Sequence, residues 1–363
     1  MRMLYCSLVI GFIVLLAIFA DLISSLADLN PNQQNILARY LPPLSHSEIS
    51  ADTKQTLLEK WITTNPTQAK TLAKILVDQG VSSSPEDEIV LDVGTRSQKE
   101  ALEILQKIDS SETANYQNLL ASFSSLHLLG TDEIGRDVFI RLVYGARISM
   151  GVGVMVALTS AILGLILGSL AGYYGGFIDT LLMRVTDSLL SLPMMPILII
   201  VSAIDLQKLP AVKFFLSQGN ESIVKMFLIL CLFSWMPVAR LARGNILSLK
   251  NMDFVLAART LGAKDHTIIL RHLFPNMMAP ILVAVTLGVG ESILYEAALS
   301  FLGLGIMPPT SSWGNMLTNA QEVIFKSPWL TILPGLMIFI TTVSINLIGD
   351  GLQSVLDPKV QHH

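Results

Sequence analysis

Ile148-Ser-Met-Gly-Val-Gly-Val-Met-Val-Ala-Leu-Thr-Ser-Ala-Ile-Leu-Gly-Leu-Ile-Leu-Gly-Ser-Leu-Ala-Gly172 runs from position 148 to 172 without one charged side chain. A helix needs about 20 mostly apolar residues to cross a hydrocarbon layer of roughly 30 Å, and this stretch supplies them. The whole chain agrees with it. Of 363 residues, 52% are hydrophobic and 14% charged, and the mean hydropathy is +0.58. A soluble domain carries about 25% charged residues. The main solvent is therefore lipid. A formal net charge of -4 gives no basic footprint for nucleic acid. Cys6 and Cys231 lie far apart in apolar runs and form neither a disulfide framework nor a metal framework.

Five further stretches have the composition of crossings. They are Met3 to Leu26, charged only at Asp21; Ser188 to Ile204, bounded by Asp187 and Asp205; and the short Met226 to Ala239, between Lys225 and Arg240. Met277 to about Gly303 carries Glu291 and Glu296, and Ser327 to Gly349 is the last. Six spans make an all-α membrane protein with a soluble insert between helices 1 and 2. The first run is longer than the h-region of a signal peptide and no small-x-small site follows it, so it reads as an uncleaved anchor. The expected organisation is an anchor over 1–27, an insert with a pre-helix segment over 28–144, a core over 145–350 containing a loop at 240–278, and a tail over 351–363.

Lys and Arg in short loops set the orientation. Arg240, Arg243, Lys250, Arg259, Lys264 and Arg271 lie between spans four and five, whereas Lys326 is the lone basic residue between spans five and six. The 240–278 loop is thus expected in the cytoplasm, with both termini, and the insert outside.

Within the insert, Thr53 to Leu76 has two helical apolar faces broken at Asn65-Pro66, Glu88 to Val93 alternates like a strand, and Lys99 to Ile108 resumes helical spacing. A packed insert and a docking surface for an outside partner both fit. Gly130-Thr-Asp-Glu-Ile-Gly135 has the two-glycine opening of a phosphate loop, but Arg136 and Asp137 stand where Lys and Ser or Thr would be needed. Nucleotide binding is rejected.

The 240–278 loop carries the most information. Asp253 to Leu261 spaces Phe254, Ala257, Ala258 and Leu261 helically, and Gly262 can stop that helix in a left-handed conformation. Asp265 can cap a second helix through Ile268, Ile269, Arg271 and His272, which Pro275 is expected to end. The small face of Ala257, Ala258 and Gly262 leaves room for another protein. A purely structural loop with the same shape is the other reading.

Ala257-Ala258-Arg-Thr-Leu-Gly262 followed by Ile268-Ile-Leu-Arg-His272-Leu-Phe-Pro275-Asn276 resembles the EAA coupling motif of ABC-importer permeases, closest to the C-type subunit of the peptide/nickel subfamily. Gly130-Thr-Asp-Glu-Ile-Gly-Arg-Asp137 with Tyr144-Gly-Ala-Arg147 is also similar to that subfamily. So are Glu296-Ala-Ala-Leu-Ser-Phe-Leu-Gly-Leu-Gly305 with Pro308-Pro309 and Trp313-Gly314-Asn315, and Asn346-Leu-Ile-Gly-Asp350-Gly-Leu with Leu356-Asp-Pro358. The resemblance covers Gly130 to the C-terminus and implies the type I ABC-importer permease fold. It implies a homologous second permease subunit, two cytoplasmic ATPases that bind the ATP and magnesium, and an extracytoplasmic substrate-binding protein. This chain would hold no cofactor and no catalytic site. Ala257, Ala258, Gly262, Ala263, Asp265, Arg271, His272 and Pro275 are the residues it assigns to ATPase coupling. Two departures stand out: Leu256 replaces the motif's Glu, and Gln353-Ser354 replaces the usual Arg-Asp.

Glu291 and Glu296 would be costly in lipid unless they face water or a partner. They either line a substrate path, near a peptide's amino group, or bond a neighbouring helix. Tyr173-Tyr174-Gly175-Gly176 reads as an aromatic belt and turn, and Gly151, Gly153, Gly164, Gly168 and Gly172 could let a helix approach closely. A stand-alone secondary carrier and a membrane-embedded enzyme are the rival functions.

Overall fold

The computed structural model describes residues 2–27, 29–35, 38–48, 51–78, 86–96, 100–101, 104, 116, 120, 124–204 and 221–356. The chain forms two compact units, residues 27–140 and residues 1–26 with 141–363.

The larger unit is helical. It contains α1 (Arg2–Ile18), α2 (Ala20–Ala27), α6 (Val138–Tyr174), α7 (Gly176–Leu190), α8 (Met194–Ser202), α9 (Glu221–Leu249), α10 (Asp253–Thr260), α11 (Asp265–Phe301), α12 (Ala320–Val323) and α13 (Trp329–Leu356). Among the described residues, α6, α9, α11 and α13 are each long and apolar enough to cross a membrane, and there are up to six crossings if each bent pair counts as one.

The bent pairs correct two expected spans. The first, expected as one helix over Met3–Leu26, turns by 62° between α1 and α2. The third, expected over Ser188–Ile204, is α7 and α8 at 89° to one another, with Ser191-Leu192-Pro193 between them. Pro193 has no N–H to continue the ladder and pushes Leu192 out of the helical region. The fourth span is longer than its apolar stretch, because α9 carries its helix past Pro237 into the basic segment.

Glycines let these helices touch. A Cβ on Gly164 would fall 2.7 Å from the Trp235 carbonyl oxygen, on Gly168 2.3 Å from that of Ala239, and on Gly172 3.0 Å from that of Arg243. The three lie one turn apart, so α6 meets α9 at its backbone and at the Cβ atoms of Val238, Ala242 and Ile246. Gly153 faces Ile293 of α11, whereas Gly151 faces open space. α11 packs along α9 and α13, and α1 lies on α13. Buried Val238, Ala242 and Ile246 of α9 join Ile268, Met277 and Ile281 of α11 in one core cluster.

The smaller unit holds α3 (Ala51–Thr64), α4 (Pro66–Asp78), α5 (Glu86–Thr95) and the antiparallel pair β1 (Ser45–Glu48) and β2 (Ser124–His127), in register Ser45 to His127. The helix break at Asn65 is as expected. The strand expected over Glu88–Val93 is instead part of α5, and the reason is its core spacing: Val90 and Val93, three residues apart, both enter the core with Leu58, Leu72, Leu76 and Tyr116. Most of the helix expected over Lys99–Ile108 lies outside the described residues.

Candidate functional site

The elbow after α9 is built by a left-handed glycine. α10 ends at Thr260, and Gly262 takes φ +82° with nothing within 4 Å of the place a Cβ would occupy. Its amide donates to Arg259 O at 3.0 Å and the next amide, Ala263, to Ala258 O at 3.0 Å, which satisfies carbonyls that a helix end leaves without partners. Val255 and Ile268 are fully buried and fasten the two arms to the bundle. The outward side carries large apolar side chains, with Phe254, Leu256 and Leu270 exposed and Leu261 88% exposed, among the exposed charges of Arg259, Lys264, Asp265 and Arg271. Ala257, Gly262, Asp265, Arg271 and Pro275 are exposed, and Ala258, Ala263 and His272 half-buried. The expected small residues thus share the elbow's surface with large apolar side chains and with charges.

Two expectations about the second arm need correction. Pro275 does not end it. A π-helical turn over Ile268–Leu273 runs directly into the helix from Phe274, so Asp265–Phe301 is one element. The wider turn accommodates the proline's absent N–H without stopping the helix. Asp265 is not the cap either. Lys264 holds the N-cap position, and the Asp265 carboxylate accepts the Tyr173 hydroxyl at 2.6 Å.

Tyr173 is therefore not a belt residue. It is 8% exposed at the end of α6 and touches both arms of the elbow. The Arg259 guanidinium donates to its hydroxyl at 3.3 Å and lies 5.7 Å from its ring centre. Nearby, Lys250 Nζ donates to Gly172 O at 3.0 Å, placing a cation at a helix C-terminus, where the dipole favours it. Arg243 of α9 grips Asp179 of α7 with two bonds, of 2.5 and 2.7 Å. No periodicity signals these pairs.

At the other end of α6 the remaining motifs of the bundle meet. Glu296 is fully buried, with Ser149 Oγ donating to it at 2.9 Å and Ser300 Oγ at 2.8 Å. Ser149 Oγ in turn accepts the Trp313 amide, and the Trp313 indole donates to Leu142 O at 3.0 Å. A Cβ on Gly145 would fall 2.9 Å from that indole, and one on Gly314 2.6 Å from Ala297 Cα. Glu296 thus sits in helix packing, bonded to a neighbouring helix. Glu291 is the exposed one of the two. Asn346 of the last motif lies against Gly290, whose Cβ would come 2.9 Å from Asn346 Oδ1. Asp21 accepts Tyr144 at 2.7 Å and Arg147 at 3.0 Å.

In the smaller unit, Gly130 and Gly135 both adopt φ +78° and press against backbone, at Leu41 O and Asn35 O. Arg136 pairs with Asp132 at 2.7 Å. The loop is a packed turn, with its glycines spent on close approach. His127 bridges Ser47 and Asp137 at 2.7 Å each. Asp137 uses its second oxygen on the Ile140 amide at 2.9 Å, so this trio ties the strand pair to residues 137–140 at the end of the same unit. Among the described residues no group of three or more His, Cys, Asp or Glu could hold a metal ion.

Residues 164–362 match the family model described as "Binding-protein-dependent transport system inner membrane component". The chain is 39% identical over 257 residues to the glutathione transport system permease protein GsiD of Pectobacterium atrosepticum, covering 71% of this chain and 81% of that one. It is 41% identical over 239 residues to the dipeptide transport system permease protein DppC of Bacillus subtilis, covering 66% and 70%. With the oligopeptide transport system permease protein OppC of the same organism it shares 38% over 249 residues, covering 69% and 77%. Among solved structures, an inward-facing form of the MetNI methionine ABC transporter aligns with 58% of this chain and 96% of its own at 15% identity and a TM-score of 0.45.

Proposed function

The chain belongs to the family of binding-protein-dependent transport system inner membrane components, and from that premise we propose how its geometry serves transport. It is a multi-pass permease subunit of an ATP-driven importer for peptides or related solutes, of the type I permease fold. It is not an enzyme. It works with an ATPase and a substrate-binding protein. In our reading, a homologous second permease completes the path, two ATPases dock on the pair, and ATP and magnesium are held by those ATPases.

The observation that carries this reading is the elbow. Apolar side chains exposed around an alanine and glycine face, on arms anchored by buried Val255 and Ile268, make a surface suited to a protein partner. We assign Ala257, Ala258, Gly262, Ala263, Asp265, Arg271, His272 and Pro275 to that contact. Leu256, exposed where the motif has Glu, adds apolar area and takes away a polar anchor. The basic residues of the 240–278 segment support a cytoplasmic elbow. Both termini then follow, and residues 28–144 face outward. Glu291, exposed on α11, is the carboxylate we assign to the path; the serine bonds of Glu296 support a structural role.

A single cysteine at Leu261, in a chain with Cys6→Ser and Cys231→Ala, tests the assignment. An impermeant thiol reagent should miss it in intact cells and reach it in inverted vesicles. A thiol-to-amine cross-linker should join it to a co-purifying ATPase. Labelling from outside intact cells would refute the orientation and the coupling role together.

A further inference from the structure

The elbow has a second set of attachments whose purpose the docking surface does not explain. Tyr173 is the second-last residue of α6, and its hydroxyl lies between the two arms. It donates to Asp265, the first residue of α11, at 2.6 Å, and accepts from Arg259 of α10 at 3.3 Å. These residues are 92 and 86 positions away in the chain, so the bonds close large loops and do not shape a local turn. Just before it, Gly172 packs under Arg243 and Ile246 of α9, and its carbonyl is held by Lys250. Arg243 then reaches α7 through Asp179.

We propose that Tyr173 is a positioning residue that bolts both arms of the elbow to α6. This inference rests on the elbow being the ATPase-docking surface. A loop tied only through α9 and α11 could hinge about Gly262, and a push at its tip would be absorbed in the loop. With the phenol bridging both arms, the elbow, the end of α6 and, through Arg243, the start of α7 move as one body. The load then enters α6 directly. The glycine seam along Gly164, Gly168 and Gly172, packed directly on the α9 backbone and on Val238, Ala242 and Ile246, transmits it to α9.

The chemistry is specific. A phenol can donate to the carboxylate and accept from the guanidinium at once, and its ring offers a face to the same cation. Phe keeps the ring and loses both bonds. Asn at 265 keeps an oxygen that accepts the phenol proton, whereas Ala does not.

The test uses the full-length chain in lipid nanodiscs with whatever ATPase co-purifies, comparing Tyr173→Phe, Asp265→Ala, Asp265→Asn and the double Tyr173→Phe/Asp265→Ala. Amide exchange over residues 253–267 should rise about tenfold in Asp265→Ala, the factor carried by one charge-assisted hydrogen bond, and at least as much in Tyr173→Phe, which loses both bonds. The double variant should rise no further than Tyr173→Phe alone, and Asp265→Asn should stay within about twofold of wild type. Retained ATPase should fall in Tyr173→Phe, whose ring is buried behind the docking face; the Asp265 variants alter that face themselves and are read by amide exchange alone. Exchange over α13 reports that the fold is intact, and because Asp265 is exposed its variants leave no buried cavity. Unchanged elbow exchange in Tyr173→Phe, or additivity in the double variant, would overturn the bolt while leaving docking in place. A wild-type chain that retains no ATPase would overturn the docking reading and the bolt with it.

Discussion

Ser149 and Glu296 face one another across the α6–α11 contact, and the serine hydroxyl that donates to the carboxylate at 2.9 Å also accepts the amide of Trp313. Ser300 repeats the pattern, donating to Glu296 and accepting the Ile306 amide at 3.0 Å. One carboxylate thereby organises two serines, and each serine fixes a piece of the 302–318 loop. The arrangement depends on an acceptor with two oxygens. Gln offers one, so one serine would keep its backbone bond and lose a home for its own proton. We expect Glu296→Gln to cost about 1–2 kcal/mol and Glu296→Ala about 2–4 kcal/mol, since Ala strands both hydroxyls and leaves a void. Thermal unfolding of the detergent-solubilised protein should show this order. Equal stability of Gln and Ala variants would contradict the two-serine account.

The α6–α9 seam gives a contrast between two glycines of one helix. A methyl group on Gly168 would lie 2.3 Å from a backbone oxygen, which cannot rotate away, while one on Gly151 meets nothing within 4 Å. Gly168→Ala should destabilise by about 1–3 kcal/mol through forced separation of the helices. Gly151→Ala should be neutral, or more stable by up to about 1 kcal/mol from helix propensity. Melting temperatures of the two variants, side by side, decide it.

How far these features could be read in advance follows from their range along the chain. The uncharged 148–172 run announces α6 by composition alone, and the resemblance of its flanking motifs is carried by contiguous residues. Gly262 could be assigned its left-handed role because a helix stop is a local event. Pro193 was an equally local sign of the α7–α8 break, but the apolar run through it outweighed it. Pro275 shows the opposite error: a breaker was absorbed by a π-helical turn that packing stabilises. Val90 and Val93 sit at helical spacing in too short a window to exclude alternation. Tyr173–Asp265 and Arg243–Asp179 join residues 92 and 64 positions apart, and nothing in one sequence marks such partners.

The smaller unit should be sensitive to alkali through one residue. Tyr116 is fully buried, donates its hydroxyl to Val90 O at 2.5 Å and packs on Trp61 with ring centres 5.0 Å apart. Burial raises its pKa above the ordinary phenol value. The folded form therefore keeps a proton that the unfolded chain releases above about pH 10, so stability is full below that pH and falls as pH rises further. Pulse alkylation of a cysteine at Ala73, 2% exposed, corrected for thiolate fraction, should speed up in the full-length protein above about pH 10. Tyr116→Phe should flatten that rise, at a cost of about 1 kcal/mol at neutral pH for the lost hydrogen bond. An identical rise in the Phe variant would assign the sensitivity elsewhere.

Gly262 can separate backbone strain from occlusion at the elbow. At φ +82°, any side chain other than Gly meets the left-handed penalty of roughly 1–2 kcal/mol, and Asn meets least of it. Because a Cβ there touches nothing within 4 Å, Ala and Trp are strained alike and differ only in what they project outward. If the elbow is merely a turn, Gly262→Ala and Gly262→Trp should act equally on both stability and ATPase retention. If it is a docking face, the two should melt together while Trp alone expels the ATPase, with Asn close to wild type in both measurements. The expected result is the second, with the Trp variant still inserted in the membrane. ATPase and ATP-driven uptake that both survive Gly262→Trp would mean the partner docks elsewhere.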